Sequence, residues 1–178
     1  MVLEAKGDGK KKLKVGVFSF TGDEGCVIVF TELLNEYFFR WRDLVEFKYA
    51  RVIQQKNVVK DIDVAFVEGA ISGFKEEKML RKIRRNSKRV VAIGSCAIDG
   101  SPSNHRNFFD EQTTREIMPI LRKFPYRKKV SPLHEIIRVD ETVPGCPIVE
   151  ESFLNILNKY LIEFGIVGRD SNEKGGKQ

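Results

Sequence analysis

The sequence predicts an α/β protein, a doubly wound, mostly parallel sheet with helices on both faces. Three observations carry that expectation. Residues 13–20, 63–70 and 90–94 are short apolar runs with few polar positions, as in strands buried on both faces. Between them, over 27–41 and 75–86, apolar residues recur at helical spacing. The resulting alternation of strand, helix and strand calls for parallel crossovers.

Taken in order, residues 1–11 are rich in lysine and glycine and read as a loose tail. The first strand covers 13–20 and runs into a glycine-bearing turn that ends on Cys26. A helix over 27–41 starts just behind that cysteine. Residues 46–52 alternate in polarity, which suits a second strand nearer a sheet edge. The third strand, 63–70, is followed by a helix over 75–86 and a strand over 90–94. Residues 98–109 are dense in Gly, Ser, Pro and Asn and read as a long loop, and loops of that length in a compact domain usually carry function. A helix over 110–124 contains Pro119, where a break or kink is expected. Residues 126–130 are basic and flanked by prolines, 134–139 form the last strand, and 149–164 the closing helix, with an apolar stripe of Phe153, Leu154, Leu157, Leu161 and Ile162. Residues 169–178 are again polar. The 178 residues therefore read as one domain over 12–168 between two flexible tails.

The net charge is +6 and the pI near 9.2, which would permit an acidic partner. Much of the excess lies between Lys75 and Arg89, where basic residues alternate with Met79, Leu80 and Ile83 as on the solvated face of an amphipathic helix. No aromatic residues interleave there, so nucleic acid is not an expected partner. No apolar run approaches the ~18 residues of a membrane span, and the opening lacks an apolar signal segment. Membrane insertion is not expected, and the expected location is the cytoplasm, where three cysteines need not pair.

Those three cysteines share one context. Gly25-Cys26, Gly94-Ser95-Cys96 and Gly145-Cys146 each follow a predicted strand, with glycine immediately or almost immediately before the thiol. Open α/β sheets hold ligands outside the carboxyl ends of their strands. Spacings of 70 and 50 residues rule out a local zinc-knuckle or ferredoxin-type loop, so the thiols can meet only in the fold. From the residues alone, an iron-sulfur cluster, a zinc site and three isolated structural cysteines all stay open.

The order of motifs goes further. Gly25-Cys26, Val67-Glu68-Gly69, Gly94-Ser95-Cys96-Ala97 with Asp99-Gly100 and the loop Pro102-Ser103-Asn104-His105-Arg106-Asn107, then Pro132-Leu133-His134-Glu135 and Val143-Pro144-Gly145-Cys146-Pro147, resemble the small, electron-transferring subunit of NiFe hydrogenases. The short small subunits of cytoplasmic NAD-reducing hydrogenases are the nearest in pattern, and the 20 kDa subunit of respiratory complex I is a wider relative. The resemblance runs over about 13–165 and implies a flavodoxin-like domain that holds one proximal 4Fe-4S cluster. The implied partners are a NiFe-hydrogenase large subunit and iron-sulfur/flavin diaphorase subunits that reduce NAD(P).

Carried onto this chain, the cluster ligands are Cys26, Cys96 and Cys146. The family usually has a cysteine three residues before the first of these, where this chain has Asp23. Asp23 is therefore expected as a carboxylate fourth ligand, with a fourth iron left to water or a partner, a 3Fe-4S form and a plain helix N-cap as its alternatives. Ile148 replaces a second proline, and Ser101 a second glycine, of the family pattern. The adjacent cysteines of the complex I branch are missing, which leaves a complex I-like assembly as the second reading and a cluster-free scaffold as the third. His105 and His134 are expected at loop and interface positions. Glu68 is expected to help dock the large subunit, to pass protons, or to be a hydrogen-bonded structural carboxylate. Phe30, Phe38 and Trp41 read as core or interface.

Overall fold

The computed structural model describes residues 11–168. The expected tails, 1–11 and 169–178, fall outside this range except for Lys11, whose Nζ donates to the Phe164 carbonyl at 2.7 Å.

Five strands form one sheet: β1 (Leu13–Ser19), β2 (Val45–Ala50), β3 (Ile62–Glu68), β5 (Ser87–Ile93) and β7 (Glu141–Val143). Their order is β2-β1-β3-β5-β7, and every neighbouring pair is parallel. This is the doubly wound order with its switch point between β1 and β3. Strand β3 is buried at all seven positions, as its apolar run requires.

Period-two alternation splits the apolar residues between two layers. Val15, Val17, Val64, Phe66, Val91 and Ile93 face α1 (Gly25–Glu36), α2 (Phe38–Leu44) and α6 (Glu150–Glu163), which contribute Phe30, Leu33, Trp41, Phe153 and Leu157. Ala65, Val67, Val90 and Ala92 face α3 (Phe74–Asn86) and α4 (Ser95–Ile98), which contribute Leu80, Ile83 and Ala97. Helices thus cover both faces.

The amino end of β3 carries a buried carboxylate. Asp63, 4% exposed, accepts the Lys14 N–H at 3.0 Å on Oδ2 and the Lys88 ammonium at 2.7 Å on Oδ1.

Four elements differ from expectation. The single helix over 27–41 is two: α1 ends when Tyr37 leaves helical geometry, and α2 restarts so that Trp41, 4% exposed, turns into the core beside Phe30 and Phe153. The strand over 134–139 does not form. Leu133–Glu135 is a 3₁₀ turn, and the amides of Ile136 and Ile137 both donate to the Leu133 carbonyl, which tucks Leu133 and Ile137 beneath the sheet. The last strand is the three-residue β7. The basic segment at 126–130 is instead a strand, β6 (Tyr126–Ser131), paired antiparallel with β4 (Ile71–Gly73) in a small second sheet. Finally, α5 (Glu111–Lys123) runs through Pro119 without breaking; that proline is exposed, and Asp110 caps the helix by accepting the Thr113 N–H at 2.7 Å.

Candidate metal centre

Because all five strands are parallel, the loops after β1, β5 and β7 leave the same edge of the sheet, and each carries one cysteine within a few residues. Cys26 lies in the first turn of α1 and is buried, Cys96 lies in α4 and is half-buried, and Cys146 lies in the loop after β7 and is exposed. All three are free thiols.

Backbone contacts knit these loops together. The Gly94 amide donates to the Val143 carbonyl and the Ser95 amide to the Gly145 carbonyl, both at 2.9 Å. Gly94 has φ +81°, and a Cβ there would collide with Cys26 Sγ, so only glycine lets the β5 loop pass this close to the thiol. Gly145, at φ +119°, gives the third loop its turn. Ser103 bridges the first two loops: its Oγ lies 3.3 Å from Cys96 Sγ and 3.2 Å from the Thr21 carbonyl.

Burial pushes the Cys26 thiol from 9.0 up to about 12, and the carboxylate of Glu68 adds to the rise. The Ile148 amide acts in the opposite direction, and Cys146 is near enough to add a small upward push. Glu68 closes β3 at the same edge and is 2% exposed. Its Oε1 accepts the Cys26 N–H at 3.1 Å, while its Oε2 has no hydrogen-bond partner among the described residues. Burial raises the Glu68 carboxyl above the usual range, partly offset by the amide and thiol of Cys26 and the amide of Val27.

Asp23 is exposed, and its Oδ1 accepts the Gly25 N–H at 3.0 Å. The N-cap position itself belongs to Glu24, at φ 62° and without a side-chain cap, so Asp23 sits one residue before the cap expected of it. Its carboxylate and the Pro147 ring flank the Gly25 Cα, which puts Asp23 beside the third cysteine loop. His105 is in an exposed 3₁₀ turn, and His134 has Nδ1 3.0 Å from the Ile98 carbonyl and lines an open hollow of about 400 Å³ with Asp140 and Glu141.

Among the described residues, no three of His, Cys, Asp or Glu converge tightly enough to hold a single metal ion. Zinc draws thiolates to about 2.3 Å around one centre, so a preformed zinc site is not what this edge offers. An iron-sulfur cluster spreads its thiolates over different irons. Three free thiols on one edge, a glycine that opens the backbone beside one of them and a buried carboxylate oxygen without a partner fit such a group. The cysteines were legible from their glycine context. The Ser103–Cys96 and Glu68–Cys26 contacts join residues that neither period nor motif connects.

A family model described as NADH ubiquinone oxidoreductase, 20 Kd subunit, matches residues 24–160 and so begins just past Asp23. One subunit of the F420-non-reducing hydrogenase vhu from Methanocaldococcus jannaschii is 29% identical, over 82% of this chain and 56% of its own length. The delta subunit of the NAD-reducing hydrogenase HoxS from Cupriavidus necator is 24% identical, over 83% of this chain and 78% of its own. The chain thus spans little more than half of the first relative and most of the second. Among solved structures, a chain of an NAD+-reducing [NiFe]-hydrogenase in the H2-reduced state superposes with a TM-score of 0.76 at 26% identity, covering 86% of this chain and 93% of that one.

Proposed function

The chain belongs to the family of the NADH ubiquinone oxidoreductase 20 kDa subunit, and from that premise we propose that it is the electron-transfer subunit of a NiFe-hydrogenase-type complex, holding one 4Fe-4S cluster on Cys26, Cys96 and Cys146. The observation that carries this reading is the arrival of all three thiols at the carboxyl edge of one parallel sheet. When bound, such a cluster supplies one-electron transfer at a potential set by its ligands, its hydrogen bonds and its exposure.

The chain's own part is to bind, orient and shield. Gly94 leaves room for the Cys26 sulfur, Ser103 holds Cys96 against the first loop, and the Cys146 loop closes the edge from outside. Cys26 must give up its proton to bind iron, and burial holds that proton to about pH 12, so loading releases a proton here. Asp23, three residues before Cys26, is proposed as the fourth ligand. One of its oxygens is engaged by the Gly25 amide and the other is left for iron. A carboxylate there binds iron less firmly than a thiolate would; if Asp23→Cys leaves the spectrum and potential of the bound cluster unchanged, that assignment is wrong.

The relatives' names support the rest. A NAD-reducing hydrogenase subunit and a chain of an NAD+-reducing [NiFe]-hydrogenase match most of this chain, so the proposed partners are a NiFe large subunit and diaphorase subunits that carry electrons to NAD(P). No helix among the described residues is long and apolar enough to cross a membrane, and the proposed location is the cytoplasm. The family description favours a second reading, a 20 kDa-type subunit of a complex I-like assembly, which membrane subunits at purification would reveal. Iron and sulfide analysis of the anaerobically purified complex, with its low-temperature EPR spectrum, tests the central proposal. About four irons and four sulfides beyond those of the large and diaphorase subunits are expected, and an intact complex without that excess would leave this chain only a scaffold.

A further inference from the structure

Helix α1 begins without a cap of its own. Its N-cap residue, Glu24, makes no side-chain hydrogen bond to the helix, and Asp23 takes only the Gly25 amide. The next two amides turn instead to a residue on another strand. Glu68, at the end of β3, accepts the Cys26 N–H at 3.1 Å, and the Val27 amide also points toward its carboxylate. A local Ser, Asn or Asp would satisfy such amides with no buried acid. Glu68 is 2% exposed, and its Oε2 is left without a partner among the described residues. Burying a polar atom unpaired costs about as much as such a cap returns, or more. Capping alone therefore does not account for this residue.

The position of the captured amide suggests a second role. The Cys26 N–H belongs to the residue whose thiol is the most deeply buried of the three. Backbone N–H groups that reach the sulfurs of a cluster stabilise its more negative, reduced state and raise its potential. An N–H held by a carboxylate is withdrawn from that task. We propose that Glu68 is a positioning residue that withholds the Cys26 amide from the cluster and so keeps the reduction potential low. The proposal rests on the reading above that the three cysteines carry a cluster. It concerns a hydrogen bond and its acceptor, and it is independent of which group supplies the fourth ligand.

The test is an EPR-monitored redox titration of the anaerobically purified complex carrying Glu68→Gln or Glu68→Ala. Pulsed EPR counts the exchangeable protons coupled to the cluster in the same samples, and iron and sulfide are assayed alongside. Glu68→Gln keeps a carbonyl acceptor for the amide and should leave the potential and the proton count near wild type. Glu68→Ala frees the amide. The reduced-to-oxidised ratio at fixed poise should then rise about tenfold, about 59 mV for one electron, and one further exchangeable proton should couple to the cluster. An unchanged potential in Glu68→Ala overturns the proposal. So does an equal shift in Glu68→Gln, since the charge and not the amide would then be responsible. Should Glu68→Ala fail to load iron, Glu68→Asp pulls the acceptor back by one methylene while keeping the acid, and there a raised potential supports the proposal and an unchanged one overturns it. A wild-type complex without about four irons beyond those of its large and diaphorase subunits removes the cluster reading itself. Iron-loaded variants with an unmoved potential remove only the role of Glu68.

Discussion

Strand β3 carries a buried carboxylate at each end, and the two are treated differently. Asp63, at the amino end, has both oxygens satisfied, one by the Lys14 amide and one by the Lys88 ammonium. Glu68, at the carboxyl end, has one oxygen satisfied, and the other has no hydrogen-bond partner among the described residues. Asp63 has an electrostatic partner and a solvated neighbour, since Lys88 is 61% exposed at its side chain. Glu68 faces the Cys26 thiol and the start of α1, and the Asp23 charge pushes its carboxyl further up. The sheet is finished for stability at one end and left incompletely paired at the other, and the incomplete end holds every cysteine of the chain. Perturbed, incompletely satisfied groups gather at functional sites for this reason.

Three substitutions and one labelling experiment would break or sharpen that contrast. The largest effect is expected from Gly94→Ala, which puts a side chain at φ +81° against the Cys26 sulfur. A loss of about 3 kcal/mol in urea unfolding is expected, together with reduced iron uptake, because strain and overpacking fall on the same atom. Next comes thiol labelling of the cluster-free chain. Cys146 is exposed and should react first, whereas Cys26, buried with its thiol pushed up to about 12, should react at least about a hundredfold more slowly than an ordinary thiol, as mass spectrometry of timed samples would show. At the other end, Asp63→Ala should cost about 2 kcal/mol, mainly by leaving the Lys14 amide unpaired, while the iron content stays unchanged; a loss of iron there would erase the distinction between the ends.

The smallest effect belongs to Glu68→Gln, expected to change stability at neutral pH by less than about 1 kcal/mol. Its signature is in the pH dependence. The folded protein raises the Glu68 carboxyl, so between the usual carboxylate value and the raised one the native state holds a proton that the unfolded chain has lost. Stability from this group is full below that window and falls as pH rises through it. Urea midpoints of the cluster-free chain measured across that range should lose this slope in Glu68→Gln, and an unchanged slope would show that Glu68 does not titrate differently on folding.

The sequence made the main sheet legible because its strands are buried on both faces, and runs such as Val64-Ala65-Phe66-Val67 and Val90-Val91-Ala92-Ile93 leave little room for another element. The short strands were opaque for the complementary reason. Ile71-Ser72-Gly73 and Glu141-Thr142-Val143 are three residues each, too short for a period, and Tyr126-Arg127-Lys128-Lys129 has no buried face to announce it. Residues 134–139 misled through the alternation of Ile137, Arg138, Val139 and Asp140, whereas the apolar spacing from Leu133 to Ile137 is that of a turn of helix. At the candidate centre, three thiols and Asp23 could be named from local context and resemblance. What joins them, Ser103 against Cys96 and Glu68 against the Cys26 amide, depends on separations of 7 and 42 residues and a finished sheet.

The order β2-β1-β3-β5-β7 has a consequence for assembly. The third thiol reaches the common edge only when β7, the shortest strand of that sheet, docks on β5, and every strand between it and the Cys26 loop must already be in register. A chain that stalls earlier presents two thiols and no third corner. Were a cluster held on the three thiols as proposed, its tight binding would report that the last strand has closed.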